Sequence, residues 1–348
     1  MQRERAITGS LLGIAIGDAL GLPYENLSPA RGRALLGEPD RFHFFFGRGM
    51  VSDDTELSNA AAQSLLAAAG NGERFRDDYA ARVRAWLWSF PLGGGRATYT
   101  AAIRLSLGWS AETSGTFSAG NLPALPAVVL GAAIDDLESL RIHVIAMTRV
   151  THTDPQAEWG ALTVALLVRM ARDSWPLRGA TFLEELSTFL PPDATREFVP
   201  AIEEAIASAD RGQSTSEFAQ SKGWSYGVAG YILPTVSASL QAAFRHPTDF
   251  REAVRGVIRC GGDADSTAAI TGGILGAALG KEAIPSDWLA GMWEPQRSLA
   301  WLEELAAALA ERRSPPPELS YFPLLGRNLI FSAVVLYHIF RRWLPPYW

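Results

Sequence analysis

The chain has 348 residues, of which 48% are hydrophobic and 20% are charged, so it can bury a sizeable core and global disorder is excluded. Its formal net charge of −6 argues against a nucleic-acid-binding protein, because such proteins carry an excess of Lys and Arg to contact phosphates. The single cysteine, Cys260, excludes an intramolecular disulfide and a cysteine-based zinc cluster. The charged N-terminus and the following apolar run, which contains Asp18, make a poor signal peptide, so a cytoplasmic protein is expected.

The first predicted helix covers residues 7–22 and has a glycine at every fourth position of one face. A glycine inside a helix costs about 1 kcal/mol relative to alanine, so this repeat indicates the close approach of another backbone. Asp18 lies in the same apolar helix and is expected to have a polar partner. Pro23 ends the helix and leaves Glu25 at its exit. The glycines are Gly9, Gly13, Gly17 and Gly21.

The central part of the chain repeats the helical period and shows no sustained strand alternation, which predicts an all-α single domain. Ser52 is a candidate N-cap for a helix that runs to residue 69. Residues 31–49 are predicted to be irregular, 70–78 to be a loop and 110–126 to be a surface loop. The Pro-rich segment 173–199 and the polar segment 211–226 are predicted to be connections. Further helices are predicted over 79–90, 97–109, 141–150, 156–172, 200–210, 231–244, 248–259 and 296–312.

The C-terminal segment 314–348 differs from the domain predicted over 1–313. It begins with a proline-rich linker and contains the apolar run 328–340, whose 13 residues are fewer than the roughly 20 that a bilayer requires. Packing on the domain is one interpretation of this run. The other is peripheral membrane contact through residues 328–348, with aromatic side chains at the interface and arginines at headgroup level. The aromatic residues in question are Trp343, Tyr347 and Trp348.

Two short acidic groups could supply one metal site. Ser52, Asp53 and Asp54 precede the second predicted helix, and Asp263, Asp265 and Ser266 follow the pair Gly261–Gly262 at the start of another. Carboxylate and hydroxyl oxygens are the ligands that Mg²⁺ and Mn²⁺ prefer, and four aspartates balance the charge of two divalent cations. The alternative is that both groups are only helix caps. Gly272, Gly276 and Gly280 follow the second group and could allow its helix to approach the glycine-rich first helix closely.

These residues occur in an order that resembles the ADP-ribosylglycohydrolase family. The resemblance covers residues 6 to about 280. It implies an all-α fold, a binuclear Mg²⁺ or Mn²⁺ centre at helix N-termini, and hydrolysis of the glycosidic bond between ADP-ribose and a protein side chain or small acceptor. The matching residues, in chain order, are Gly9, Ser10, Gly13, Gly17, Asp18, Ala19, Leu20, Gly21, Pro23, Glu25, Ser52, Asp53, Asp54, Thr55, Gly120, Asn121, Thr151, His152, Pro155, Gly230, Tyr231, Gly261, Gly262, Asp263, Ala264, Asp265 and Ser266.

The resemblance also assigns roles to individual positions. The implied catalytic residues are Asp54, Asp265 and Glu25. The implied metal ligands are Ser52, Asp53, Asp54, Asp263, Asp265 and Ser266, with serine at both hydroxyl positions where the family usually has threonine. The implied substrate-binding residues are Ser118, Gly120, Asn121, His152, Gly230 and Tyr231.

Two positions depart from the family pattern, because Leu122 stands in place of a glycine and Pro126 in place of an arginine. The expected partner is an ADP-ribose-containing substrate, and the leaving group stays open between arginine, serine, a nucleobase and a small molecule. The expected mechanism has the metal pair hold the ribose diol and activate a water, while Glu25 or an aspartate transfers protons. The alternative function is a member of the family that binds ADP-ribose without hydrolysis.

Overall fold

The computed structural model describes residues 2–344, which form eighteen α-helices, two short 3-10 helices and isolated β-bridges but no strand. The 3-10 helices are Leu22–Tyr24 and Lys281–Ala283. The α-helices are α1 (Gln2–Gly21), α2 (Pro29–Leu36), α3 (Asp53–Ala68), α4 (Gly72–Trp88), α5 (Arg96–Ser106), α6 (Ala124–Ala133), α7 (Leu137–Thr151), α8 (Pro155–Asp173), α9 (Gly179–Phe189), α10 (Pro192–Glu197), α11 (Val199–Asp210), α12 (Thr215–Ser221), α13 (Ile232–Arg245), α14 (Phe250–Ile258), α15 (Ala264–Leu279), α16 (Ser286–Gly291), α17 (Leu299–Glu311) and α18 (Tyr321–Arg341).

Helices α1 and α15 form an antiparallel pair at the centre of the fold. A Cβ atom on Gly13 would overlap the carbonyl oxygen of Gly272, and one on Gly9 would overlap that of Gly276. Gly17 faces Ala268 in the same way, so the contact repeats every four residues along both helices. The predicted close approach of these two helices is therefore confirmed, and it places the start of α15 beside the end of α1.

The remaining helices surround this pair and share one continuous apolar core, so the all-α single-domain fold predicted from the sequence is confirmed. Helix α6 packs between α3 and α8, α11 packs on α13, and α4 packs on α7. Helix α1 is buried almost throughout, which identifies its apolar sequence as core. Asp18 is buried in this helix and is paired, as predicted.

Several segments predicted to be loops are helical. Helix α2, Pro29–Leu36, extends into the segment 31–49, because Ser28 caps it by accepting from the Arg31 amide and Pro29 suits the first helical position. Helix α4 begins within 70–78, where the Asn71 side chain accepts from the Arg74 amide at 2.9 Å. Capping side chains turn these polar stretches into helix starts, whereas 31–49 was predicted to be irregular and 70–78 to be a loop. Helices α9, α10 and α12 likewise lie in segments predicted to be connections.

The C-terminal helix α18 is longer than the apolar run suggested. It spans 21 residues, which is long and apolar enough to cross a membrane by length and composition alone, so the argument that the run is too short was wrong. Arg327, Asn328 and Phe331 form its buried face against the domain, whereas most of its other side chains are exposed. Tyr347 and Trp348, which were assigned to the interfacial aromatics, lie outside the described residues.

Candidate active site

Helix α3 carries the first acidic group at its N-terminus. The Ser52 hydroxyl caps the helix by accepting from the Asp54 amide at 3.2 Å, as predicted. Asp18 on α1 holds the same turn, because its Oδ2 atom accepts from the Ser52 amide at 2.9 Å and from the Thr55 hydroxyl at 2.5 Å. The buried carboxylate of α1 therefore positions Asp53 and Asp54, which follow the cap directly.

Helix α15 carries the second acidic group. Gly262 precedes it with φ of +78°, and a Cβ atom there would overlap the Val228 carbonyl oxygen, so only glycine fits this turn. The Gly262 amide donates to the Leu27 carbonyl at 2.8 Å, which ties the turn to the segment that follows α1. Because α1 and α15 are antiparallel, Asp263, Asp265 and Ser266 emerge beside Glu25.

Both acidic groups line one cavity of about 520 Å³, a size typical of small-molecule sites. Of the site residues predicted from the sequence, only Ser52 does not line it, since its hydroxyl caps α3. The predicted residues that line the cavity are Glu25, Asp53, Asp54, Ser118, Gly120, Asn121, His152, Gly230, Tyr231, Asp263, Asp265 and Ser266. Folding thus brings together residues that lie up to 241 positions apart.

The carboxylates of the cavity repel one another. Burial raises the pKa of Asp54 well above its ordinary value, and the negative charges of Asp53, Asp18 and Asp263 raise it further. The pKa of Asp265 is raised well above its ordinary value in the same way, first by burial and then by Glu25 and Asp263. Such crowding disfavours ionised carboxylates in the absence of a counter-charge.

Glu25 is suited to proton transfer near neutral pH. Burial raises the pKa of its carboxyl to about 7, with a further increase from Asp263 and an opposing decrease from Arg342. A general acid or base works best when its pKa lies near the operating pH. Asp18 is shifted less, to a pKa of about 6, because burial raises it while hydrogen bonds from Thr55 and Ser52 lower it.

The donor set fits divalent cations, although the side chains do not form a closed ligand shell. Asp54 Oδ2 and Asp18 Oδ1 are buried without a hydrogen-bond partner among residues 2–344. Asp263 Oδ2 accepts from the Asn121 side chain at 2.6 Å. Within the described part of the chain, no three acidic, histidine or cysteine side chains converge closely enough to hold one ion by themselves. A cation would therefore need ligands besides these carboxylates, and the Ser266 hydroxyl, which lines the cavity, is one such ligand.

The segment 118–122 forms the wall of the cavity opposite α3. The Ser118 hydroxyl accepts from the Gly120 amide at 3.3 Å, and Gly120 pairs with Tyr231 in an antiparallel β-bridge. Burial lowers the pKa of His152 to about 4, so this imidazole is neutral, and its Nδ1 atom lies 2.8 Å from the Thr151 hydroxyl. The prediction of a surface loop over 110–126 was wrong for this part, because Asn121 and Leu122 are buried.

The two departures from the family pattern lie in different environments. Leu122 is buried and lines the cavity, whereas Pro126 lies in the buried first turn of α6 and does not reach it. Neither residue has a positively charged side chain. Arg96 is the only Lys or Arg among the residues that line the cavity.

Arg96 begins helix α5, which was predicted over 97–109, but Arg96 was not among the predicted site residues. Helix α5 has no side-chain cap, so its first amides are available to a ligand. Thr98 lines the cavity in the same turn, and its buried hydroxyl has no hydrogen-bond partner among residues 2–344. A glycine-rich segment followed by a helix without a capping side chain was the sequence signal that could have identified this helix start.

Comparisons with known proteins identify the family to which this chain is similar. The family model described as ADP-ribosylglycohydrolase matches residues 1–318. An uncharacterised protein of Archaeoglobus fulgidus is 30% identical over 88% of this chain and 97% of its own length. The ADP-ribosyl-[dinitrogen reductase] glycohydrolase of Rhodospirillum rubrum is 27% identical over 82% of this chain and 89% of its own.

Two further matches extend the comparison. The ADP-ribosylarginine hydrolase Tri1 of Pseudomonas putida is 25% identical over 89% of this chain and 79% of its own length. A solved structure titled "ADP-ribosylglycohydrolase-related protein complex" superimposes with a TM-score of 0.66 and 26% identity, covering 89% of this chain and 99% of that one. The match of the family model to most of the chain shows that this protein belongs to the ADP-ribosylglycohydrolase family.

Proposed function

We propose that this chain is a metal-dependent hydrolase that releases ADP-ribose from the modified side chain of a protein, with arginine as the attachment residue. The proposal is carried by the single cavity in which both acidic groups, Glu25 and the 118–122 wall meet. The names of the relatives from R. rubrum and P. putida support it, because both describe removal of ADP-ribose from a protein or from arginine. Serine, a nucleobase and small acceptors are the remaining choices of leaving group.

Two divalent cations, Mg²⁺ or Mn²⁺, are proposed as cofactors, held by the following six residues. They are Ser52, Asp53, Asp54, Asp263, Asp265 and Ser266. Their carboxylate and hydroxyl oxygens are the ligands that these ions prefer. The raised pKa values of Asp54 and Asp265 are those expected of buried carboxylates that lack a counter-charge. When bound, such ions would supply Lewis-acid activation and orientation of water and ribose hydroxyls.

The proton transfers are assigned to Glu25, with Asp54 and Asp265 completing the catalytic set. Glu25 has the pKa of about 7 that lets one carboxyl both accept and donate a proton near neutrality. Asp54 and Asp265 line the same cavity from two helices, and a site in which four aspartates balance two divalent cations would tolerate the positive charge of an oxocarbenium-like transition state. The buried, neutral His152 contributes shape and hydrogen bonding to the wall and no charge.

We further propose that Arg96 binds the diphosphate of the substrate together with the first turn of α5. Replacement of Arg96 by Ala is expected to raise KM about 10-fold while kcat changes little, because one charge-assisted hydrogen bond of about 1.5 kcal/mol is lost in ground and transition states alike. Lys at this position should recover part of the loss. The measurement is steady-state kinetics with an ADP-ribosylated arginine peptide, and an unchanged KM contradicts the assignment. An exposed control, Arg178→Ala, at the residue that immediately precedes α9, should behave as the wild type.

The experiment that tests the proposed function is a panel of conjugates assayed in Mg²⁺. ADP-ribose linked to arginine, to serine and to a nucleobase is incubated with the protein, and release of ADP-ribose is followed by chromatography. Faster release from arginine than from the other two supports the proposal. Tight ADP-ribose binding without release from any conjugate supports the alternative, a non-catalytic family member.

Peripheral membrane contact is proposed for the outward face of α18. From residue 321 to 341 the helix has no acidic residue, and Tyr337, Phe340 and Trp343 are all more than half exposed. Because Arg327 is buried against the domain, the helix lies along the protein surface, an arrangement that suits the interfacial region of a bilayer better than a span.

Replacement of Phe340 and Trp343 by Ser should weaken binding to anionic phosphatidylglycerol vesicles by about 10-fold or more, because burying each aromatic side chain is worth about 2 kcal/mol. Vesicle co-sedimentation measures the change. Leu107→Ser, which alters an exposed apolar residue far from α18, serves as the control. Failure of the unaltered protein to co-sediment would rule out membrane contact.

A further inference from the structure

We infer that helix α18 is part of the active site, in which Arg342 and Arg327 act as positioning residues. The inference rests on the proposed function for its catalytic readout. The matched family model ends at residue 318 and α18 begins at Tyr321, so this helix lies beyond the part of the chain that the family model describes. Its contacts nevertheless reach both segments that build the candidate site.

Arg342 holds the segment that carries Glu25. Its Nη1 atom donates to the Glu25 carbonyl at 3.0 Å and its Nη2 atom donates to the Pro23 carbonyl at 2.8 Å. The planar guanidinium thereby fixes the direction in which the chain leaves α1, because both bonds must be made in one plane. The position of Glu25 in the cavity therefore depends on a residue 317 positions later in the sequence.

Arg327 holds the start of α3, where the first acidic group lies. Its guanidinium donates to the Val51 carbonyl, which immediately precedes Ser52, and to Glu56 Oε1 at 3.1 Å in the first turn of the helix. It also donates to Glu294 Oε2 at 2.6 Å. The Arg327 and Glu294 side chains are 2% and 1% exposed, so this pair is fully removed from water.

The charges around Arg327 are balanced. Glu56 also accepts from Arg297 at 2.9 Å and from the Trp86 indole at 2.8 Å. Two arginines and two glutamates thus share a closed buried network, in which Arg327 belongs to α18 and Glu56 belongs to α3. Loss of one arginine would leave a buried carboxylate without its partner and would displace the turn that it holds.

Polar contacts fix the position of α18 in addition to the apolar packing of Phe331 against Phe44. Only a small part of the helix is buried, and the buried part includes Asn328, whose side chain donates to the Ser89 carbonyl at 2.8 Å. His338 adds a contact at 2.9 Å to the Phe44 carbonyl. Directional bonds of this kind specify one register, whereas an apolar face alone would tolerate sliding. Helix α18 therefore connects two segments of the candidate site, the one that carries Glu25 and the start of α3.

The test compares two arginines of α18 with two arginines that make similar contacts elsewhere. Arg3 donates to the Ala133 carbonyl at 3.0 Å on the far side of α1, and Arg172 is a buried arginine that pairs with Asp135 at 2.9 Å. Arg342→Met is matched with Arg3→Met, and Arg327→Met with Arg172→Met. Each variant is measured for Tm, for kcat and KM on an ADP-ribosylated arginine peptide, and for Mn²⁺ affinity by electron paramagnetic resonance.

Arg342→Met is expected to lower kcat about 10-fold with little change in KM, and Arg342→Lys should recover part of the loss, because outer residues that orient a site contribute on this scale. Arg327→Met is expected to weaken Mn²⁺ binding about 10-fold at a temperature where it remains folded. The Arg3 and Arg172 variants should show neither effect. Equal losses of kcat and Mn²⁺ affinity in the α18 variants and in the controls, or no loss in either group, would overturn the inference. If the wild type hydrolyses no conjugate, the proposed function fails, and the Mn²⁺ comparison still decides the inference.

Discussion

Replacement of Asp54 by Asn is expected to lower kcat/KM for an ADP-ribosylated arginine peptide about 10³-fold or more, since loss of a metal-ligand carboxylate removes several kcal/mol of transition-state stabilisation. Asp54 Oδ2 is buried and makes no hydrogen bond to another described residue, so this oxygen is available to a cation. Its carboxylate is also crowded by Asp53 and Asp263. Folding therefore places this charge where it is unfavourable unless a cation is bound.

The same variant should not lose stability. Removing one of several repelling carboxylates relieves strain in the metal-free protein, so the Tm of Asp54→Asn in EDTA is expected to equal or exceed that of the wild type. Addition of Mn²⁺ should then raise the Tm of the wild type and leave that of the variant nearly unchanged. Asp193→Asn, at an exposed position on α10, is the control for loss of a negative charge. Full activity of Asp54→Asn, or a large fall in its Tm, would contradict this assignment.

Replacement of Gly13 by Ala is expected to destabilise the protein by about 3 kcal/mol, the upper part of the range for overpacking, because the atoms it strikes belong to a backbone. The added Cβ would overlap the carbonyl group of Gly272 and could be accommodated only if α1 and α15 moved apart. Since 1 kcal/mol shifts Tm by about 2 °C in a chain of this size, a fall of roughly 6 °C is expected. Thermal unfolding monitored by circular dichroism measures it.

The matched control is Gly326→Ala in α18, where a Cβ would meet no atom within 4 Å. Alanine has the higher helix propensity by about 1 kcal/mol, so this variant should be as stable as the wild type or slightly more stable. Gly13→Ala should also lower activity below that of Gly326→Ala, because separation of α1 from α15 moves Asp265 away from Glu25. Equal stability of the two variants would mean that the glycine repeat is not needed for helix contact.

The sequence was sufficient for features that depend on local rules. The four-residue glycine spacing in α1 and α15 predicted their contact, because such spacing maps to one helix face whatever surrounds it. Ser52 was identified as a cap from its place before an acidic first turn, and the structure shows that bond. Asp18 was expected to be paired because an isolated carboxylate is costly inside an apolar helix.

Features that depend on tertiary contacts were not predictable in this way. Arg96 does not belong to a periodic sequence pattern. It lines the cavity only because α5 starts there. The extent of α18 was underestimated because Pro323 and Gly326 suggest a break in the helix, and Arg327 looks like a polar break until its partners on α3 are known. The loop containing Leu122 was expected at the surface from its composition, yet it is buried against the start of α13.

The central claim is that divalent cations held by the two acidic groups carry out hydrolysis of an ADP-ribosyl bond. The most direct measurement is release of ADP-ribose from an ADP-ribosylated arginine peptide by the full-length protein, after EDTA treatment and again after Mg²⁺ or Mn²⁺ is restored. We expect release to stop in EDTA and to return with either cation. Equal rates of release in EDTA and in Mg²⁺ would contradict the claim.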